Sequence, residues 1–178
     1  MGNVILGLLL FGPQTIYSLS KLFEQGISLF YSASLGGIRG ALAGLLDRGL
    51  IAFTGEVENG RSKKVYTLTD AGRGAFFEWL QGPVAGGDLE TVALSKLYFL
   101  GELGSDVDRR AVLDDLIGAI TRDESQLVEL DAHLDAAASG VPAEYAAVFR
   151  YQRETLSYGL GAHRFGREFF ERLRDELN

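Results

Sequence analysis

Cysteine is absent from the sequence, and its 178 residues include only three prolines, two histidines and one tryptophan. Without cysteine the chain has neither a disulfide framework nor a thiolate metal site, which suits a reducing compartment. The two histidines, His133 and His163, form no H-E-x-x-H zinc motif, and no G-x-S-x-G nucleophile motif is present. We therefore expect no cofactor and no enzymatic activity.

Long hydrophobic runs are also lacking. The apolar run near the start, residues 4–11, is too short to span a bilayer, and it has neither a basic leader nor a small-residue cleavage site. The overall hydrophobic content of 47% is nevertheless enough for a packed core. We expect a folded cytoplasmic protein with no membrane partner.

Basic residues are in deficit, but unevenly along the chain. The whole sequence has 17 Lys and Arg against 24 Asp and Glu, a net charge of −7. Residues 1–82 hold seven basic and six acidic residues, whereas the remainder holds ten and eighteen. A polyanionic partner is therefore expected to meet the first part and to be repelled by the second.

Three helices are predicted in the first 50 residues. The first covers the apolar run and ends at Gly12-Pro13, because proline disfavours helix in the residue before it. The second follows Thr15, a plausible N-cap, and ends near Gly26. The third begins near Ser34, and its predicted core stripe consists of Leu35, Ile38, Leu42, Leu45 and Leu46.

A β-hairpin is predicted next. The stretches "LIAFTGEV" and "SKKVYTLT" are rich in β-forming residues, and the Asn59-Gly60 pair between them is a strong hairpin turn signal. Thr69 then caps a fourth helix, whose inward residues are predicted to be Ala71, Ala75, Phe76, Trp79 and Leu80. Three helices followed by a hairpin is the order of a winged helix-turn-helix, whose third helix enters the DNA major groove.

The rest of the chain is predicted to be helical. One segment spans residues 89–103 and a longer one residues 106–138, with heptad positions at Leu113, Leu116, Ile120, Leu127, Leu130 and Leu134. An aromatic-rich last helix follows Pro142. Long amphipathic helices must pack on each other or on another copy, which favours a homodimer. We expect a mainly α fold with a small β-hairpin wing: a winged helix-turn-helix domain over residues 1–82 and an α-helical dimerisation domain over residues 83–178.

The sequence resembles the PadR-type transcriptional regulators in three places. "ILGLLLFGPQTIYSLSKLF" resembles their opening helices, "SLGGIRGALAGLLDRGLI" their recognition helix, and "GRSKKVYTLTDAG" their wing and fourth-helix start. The resemblance is close over about the first 80 residues and extends beyond them in pattern only. It implies a homodimer that binds a double-stranded palindromic operator, usually as a repressor, and releases it when a small, often aromatic, effector binds.

Candidate DNA contacts follow from this fold. Arg61, Lys63 and Lys64 on the wing would pair with phosphates or reach the minor groove; the alternative is a solvated hairpin edge protected by its lysines. On the third helix, Arg39 is the side chain suited to reading bases, and Ser34 caps a helix start that would present N–H groups to a phosphate. The family commonly has Tyr-Pro where this chain has Arg39-Gly40.

Glycines recur every four residues in the third helix, at Gly36, Gly40 and Gly44. Each costs a helix interior up to about 1 kcal/mol relative to alanine. Either the bare backbone lets the helix lie unusually deep in the major groove, or the helix has lost the side chains that would contact base edges. The small face would also admit another helix or a partner protein.

Trp79 and the aromatics of the last helix are candidates for lining an effector pocket, although aromatic residues at helical spacing more often belong to a core or a dimer interface. We predict a ligand-responsive repressor. The alternative function is a winged-helix module for protein interaction or small-molecule sensing with weak or lost DNA binding, and the glycine face and the acidic second half favour it.

Overall fold

The fold is described from a computed structural model that covers residues 1–58 and 61–177, with main chain only at residues 57, 58, 61 and 62. The chain forms two compact units: Met1–Gly104, and a second that begins at Ser105. In the described ranges, no helix is both long and apolar enough to cross a membrane.

Three helices open the first unit: α1 (Gly2–Leu10), α2 (Ile16–Gln25) and α3 (Leu35–Asp47). The consecutive residues from Val4 to Leu9 are all buried, as expected for a helix that is apolar on every side. Thr15 and Ser18 cap the start of α2 reciprocally, each side chain accepting the other's backbone N–H. The three predicted helices are confirmed.

The predicted hairpin is also confirmed. Its strands are β1 (Ile51–Glu58) and β2 (Arg61–Leu68), paired antiparallel with Phe53 opposite Tyr66 and Glu56 opposite Lys63. The predicted Asn59-Gly60 turn lies outside the described residues. Gln14 pairs with Tyr66 through two main-chain hydrogen bonds of 3.0 and 2.7 Å, so the segment before α2 is fastened to β2.

Two predicted core positions are wrong. Leu35 is 45% exposed, because the buried stripe of α3 begins only at Ile38, one turn later. In α4 (Asp70–Gln81), Ala71 is exposed and Gly72 is buried in its place, since the main chain at position 72 lies directly against the carbonyl of Leu50.

The helix α5 (Leu89–Tyr98) belongs to the first compact unit. The predicted boundary at residue 82 assigns this helix to the second domain. As a boundary between functional domains, it stays a prediction. The predicted segment 89–103 breaks at Phe99 and continues as a 3₁₀ turn, Leu100–Glu102. The break lets the Phe99 ring pack edge-on against Phe76, with ring centroids 5.4 Å apart.

The second unit is a pair of long antiparallel helices, α6 (Asp106–Ala137) and α7 (Ala146–Asp175). Their shared core includes Leu113, Leu116, Ile120, Leu156 and Phe170. The predicted seam of α6 is buried only in its first half, because Leu127 and Leu134 are half-buried and Leu130 is exposed. Arginines of α7 link the two helices, with Arg153 bound to Asp131, Arg167 to Glu124 and Arg174 to Asp114.

The observed architecture is mainly α with a β-hairpin wing, as predicted. In the first unit the order α1, α2, α3, β1, β2, α4 is that of a winged helix-turn-helix, with α3 as the second helix of the motif and the hairpin as its wing.

Candidate nucleic-acid interface

The start of α3 is held by Ser34. Its hydroxyl accepts the backbone N–H of Gly37 at 3.0 Å, and its carbonyl accepts that of Ile38 at the same distance. The N–H groups of Leu35 and Gly36, in the first turn, have no acceptor inside the helix. The helix start is therefore capped and exposed, and it keeps two donors directed outward.

Arg39 lies on the solvent-exposed side of α3, next to the buried Ile38. Among the side chains that the structure describes, no acidic one forms an ion pair with it. At the other end of the helix, the guanidinium of Arg48 donates to the Gly44 carbonyl at 3.1 Å and so caps the last turn. Arg39 is thus a long cation that is not engaged by the described part of the chain.

The glycine face of α3 is open. A Cβ added at Gly40 or Gly44 would meet nothing within 4 Å, and one at Gly36 would meet only the Ser34 hydroxyl, at 3.8 Å. Close packing within the described chain therefore does not require these glycines. The other two interpretations, deep seating in a groove and loss of reading residues, stay predictions.

The two wing lysines lie on opposite faces of the hairpin, because neighbouring residues alternate along a strand. Lys63 reaches across to Glu56, with Nζ 3.4 Å from Oε2. Lys64 places its Nζ 4.1 Å from the centroid of the Phe53 ring, which itself lies against Tyr66. One lysine is thus partly neutralised, while the other is exposed and rests on an aromatic ring.

Arg61 is the third predicted wing cation. Its main chain pairs with that of Glu58 at the end of the hairpin, and its side chain lies outside the described residues. The structure therefore brings Lys63 and Lys64 onto one hairpin but not onto one face.

Trp79 lies on α4, a helix that carries none of the predicted DNA contacts. It is half-buried, with its ring 5.8 Å from that of Phe76 and the Nζ of Lys96 6.0 Å from its own centroid. The half-buried indole leaves part of its ring accessible to an aromatic ligand.

Lys96 is a residue that sequence reasoning missed. It is only 1% exposed, and its ammonium donates to the carbonyl of Gly82, at the end of α4. The sequence does carry a signal, because the residues three and four positions away on either side of Lys96 are all apolar: Val92, Ala93, Phe99 and Leu100. A lysine there must satisfy its charge internally.

Comparison with known proteins agrees with the fold. The family described as "Transcriptional regulator PadR-like family" matches residues 5–78. The negative transcriptional regulator PadR of Bacillus subtilis (strain 168) is 34% identical over 131 residues, covering 65% of this chain and 70% of the relative.

Two solved structures of Bacillus subtilis PadR are also similar. The complex with operator DNA has a TM-score of 0.45 at 24% identity and covers 99% of this chain and 98% of that one. The complex with p-coumaric acid has a TM-score of 0.42 at 25% identity and covers 99% and 94%.

The match to the family includes most of α1, the helix-turn-helix, the hairpin and most of α4, and the identity to the Bacillus subtilis relative extends over most of that protein. The family consists of transcriptional regulators, so the expectation that the chain is not an enzyme is confirmed. The chain belongs to the PadR-like family of transcriptional regulators.

Proposed function

We propose that this regulator binds a palindromic operator as a homodimer, represses transcription, and releases the DNA when a small aromatic effector binds. The observation that carries the proposal is the capped, solvent-exposed α3 with its unengaged Arg39, in a winged helix of this family. The Bacillus subtilis relative is named as a negative regulator and has been crystallised with operator DNA. A DNA partner also supports the cytoplasmic location expected from the sequence.

The helix α3 supplies the contacts that determine which DNA sequence is bound. Arg39 is suited to a guanine, because a guanidinium donates two parallel hydrogen bonds to its O6 and N7. Ser34 holds the helix start so that the N–H groups of Leu35 and Gly36 meet a phosphate, where the helix dipole also favours negative charge.

The wing supplies phosphate contacts through Arg61, Lys63 and Lys64. Lys64 is exposed and rests on Phe53, so it is free to turn toward a phosphate. Lys63 must first leave Glu56, but an exposed pair of this kind contributes only about 0–1 kcal/mol. A phosphate therefore competes easily with that carboxylate.

A second copy of the chain is the proposed partner of α7. Tyr151, Tyr158 and Phe165 recur every seven residues on a face that α6 does not cover, and Tyr158 is 80% exposed. A stripe of large aromatic side chains on a 30-residue helix is too apolar for a free surface and fits a two-fold contact with the same helix of a second copy.

The proposed effector site includes Trp79. The Bacillus subtilis relative has been crystallised with p-coumaric acid, an aromatic carboxylic acid. Trp79 is half-buried and has an aromatic neighbour in Phe76, so part of its ring is open to stacking by such a molecule. Because Trp79 is the single tryptophan of the chain, its fluorescence reports directly on binding, and quenching by p-coumaric acid is the expected result.

The test is a titration of the purified full chain with duplex DNA from upstream of its own gene, at two salt concentrations, with a shuffled duplex as the control. We expect tighter binding to the upstream duplex and an affinity that falls steeply with salt. Equal, weak binding to both duplexes would contradict operator recognition.

That result would favour the second candidate, a winged-helix module for protein interaction or ligand sensing with lost DNA binding. The observation in its favour is the open glycine face of α3, which leaves Arg39 as the sole Lys or Arg side chain between Leu35 and Asp47. Quenching of Trp79 without DNA binding would support the sensing form of this module.

A further inference from the structure

An exposed tyrosine and lysine form a pair on α2. Tyr17 is 68% exposed, and the Nζ of Lys21, one turn later, lies 4.6 Å from the centroid of its ring. Both residues lie on the side of α2 opposite the buried Leu19 and Phe23. The core of the first unit therefore does not account for this pair.

The two side chains hold each other in place. The pKa of Lys21 is raised above its ordinary value, chiefly by Tyr17 and less by the charge of Glu24. The cation–π contact brings the Lys21 ammonium and the Tyr17 ring together on one exposed side of α2. Restricting them before binding lowers the entropy lost when a ligand is bound.

The start of α2 is also fixed in position. Thr15 and Ser18 cap the helix, and the main-chain bridge between Gln14 and Tyr66 ties the preceding segment to the wing. In a helix-turn-helix the second helix enters the groove, while the first crosses the sugar-phosphate backbone. Here α2 is that first helix, and Tyr17 and Lys21 are on its exposed side.

We propose that Tyr17 and Lys21 form a phosphate-binding pair that grips the DNA backbone next to the groove entered by α3. The Tyr17 hydroxyl donates a hydrogen bond to a phosphodiester oxygen, and the Lys21 ammonium neutralises the same phosphate group. Such contacts fix the register of the protein without reading the sequence. The inference rests on the proposed DNA-binding function and adds a contact outside α3 and the wing.

The experiment compares Tyr17→Phe and Lys21→Ala with Arg73→Ala in the full chain. Phe keeps the ring and removes the hydroxyl. Arg73 is an exposed cation on α4, which is not part of the helix-turn-helix. Its replacement by alanine changes the net charge by the same amount as Lys21→Ala. Affinities for the upstream and shuffled duplexes are measured over a series of salt concentrations, and circular dichroism checks that each variant is folded.

We expect Lys21→Ala to flatten the slope of log K against log salt by about 0.9, the value for one phosphate contact. Tyr17→Phe should lower the affinity about tenfold, as for the loss of one hydrogen bond to a charged group. Each of the two variants should lower the affinity for the upstream duplex and for the shuffled duplex by the same factor. Arg73→Ala should keep the wild-type slope.

Two results would overturn the inference. If the wild type binds the upstream duplex but Lys21→Ala and Tyr17→Phe behave like Arg73→Ala, the pair makes no contact and the proposed function stands. If the wild type binds neither duplex at low salt, the proposed function fails and the pair fails with it.

Discussion

Gly72 lies so close to Leu50 that a Cβ at position 72 would fall 1.9 Å from the Leu50 carbonyl oxygen. The same carbonyl accepts the backbone N–H of Thr69 at 3.2 Å, and the Thr69 hydroxyl donates to the carbonyl of Gly49 at 2.8 Å. The start of α4 is thus docked onto the turn that joins α3 to β1. One junction sets the positions of the recognition helix, the wing and α4.

Substituting Gly72 with alanine is therefore expected to destabilise the first unit by about 3 kcal/mol, because the added methyl must push a backbone carbonyl aside. Urea denaturation followed by Trp79 fluorescence measures the loss. The matched control is Gly74→Ala in the same helix, where a Cβ meets nothing within 4 Å. The control should gain about 0.5–1 kcal/mol, and equal effects of the two substitutions would contradict the docking.

The open glycine face yields a second prediction. Gly40→Ala and Gly44→Ala should each stabilise α3 by up to about 1 kcal/mol, because alanine is the better helix former and neither methyl meets a neighbour. Thermal unfolding measures this gain. The DNA affinity of the same variants separates the two interpretations: a loss supports deep seating in the groove, whereas unchanged affinity supports a helix that has lost its reading residues.

The wing yields a third prediction. Replacing Arg61, Lys63 and Lys64 together by alanine should leave the oligomeric state unchanged, lower DNA affinity and flatten its salt dependence, because up to three phosphate contacts are lost. The single variant Glu56→Gln is the matched control. It removes one negative charge next to Lys63, so the DNA affinity should rise slightly. Unchanged binding by the triple variant would exclude the wing as a DNA contact.

The buried Lys96 yields a fourth prediction. Lys96→Ala should cost about 2–4 kcal/mol, since it leaves a cavity and removes a donor from the Gly82 carbonyl. Lys96→Met keeps most of the side-chain volume and should cost less. Urea denaturation measures both. The control is Lys64→Met on the wing surface, which should change stability by less than about 0.5 kcal/mol. If Lys96→Ala costs no more than the Lys64→Met control, the contact between the Lys96 ammonium and the Gly82 carbonyl does not stabilise the fold.

The aromatic stripe of α7 yields a fifth prediction. Tyr158→Glu should convert the proposed homodimer into a monomer, because it would place a charge in the centre of the proposed apolar contact. Ser157→Glu is the control, since Ser157 is exposed on the same helix but lies outside the stripe. Light scattering measures the mass of each. If Tyr158→Glu is still a dimer, the interface does not include this stripe of α7.

Local signals were enough to predict most of the fold. Thr15, Ser34 and Thr69 are N-caps in the structure, because each needs only a neighbouring backbone N–H three residues later. The Asn-Gly pair likewise predicted the hairpin from its own two residues. These features depend on contacts within a few positions along the chain, which is the information that periodicity and turn chemistry carry.

Features that depend on distant contacts were not predicted. Phe99, where the helix ends, packs against the ring of Phe76, and Lys96 donates to a carbonyl 14 residues away. The difference between Lys63 and Lys64 depends on the strand register, which decides that one meets Glu56 and the other Phe53. A sequence pattern shows which residues are polar or apolar, but not which pairs will meet.

The bridge between Gln14 and Tyr66 uses main-chain atoms only. It is therefore indifferent to the side chain at position 14, and substitutions there should be widely tolerated by the link that joins α2 to the wing. Proline is the exception, because it has no N–H to donate. Because the bridge does not depend on side chains, the exposed residues of α2 and the wing can be substituted while the relative placement of these two elements is kept.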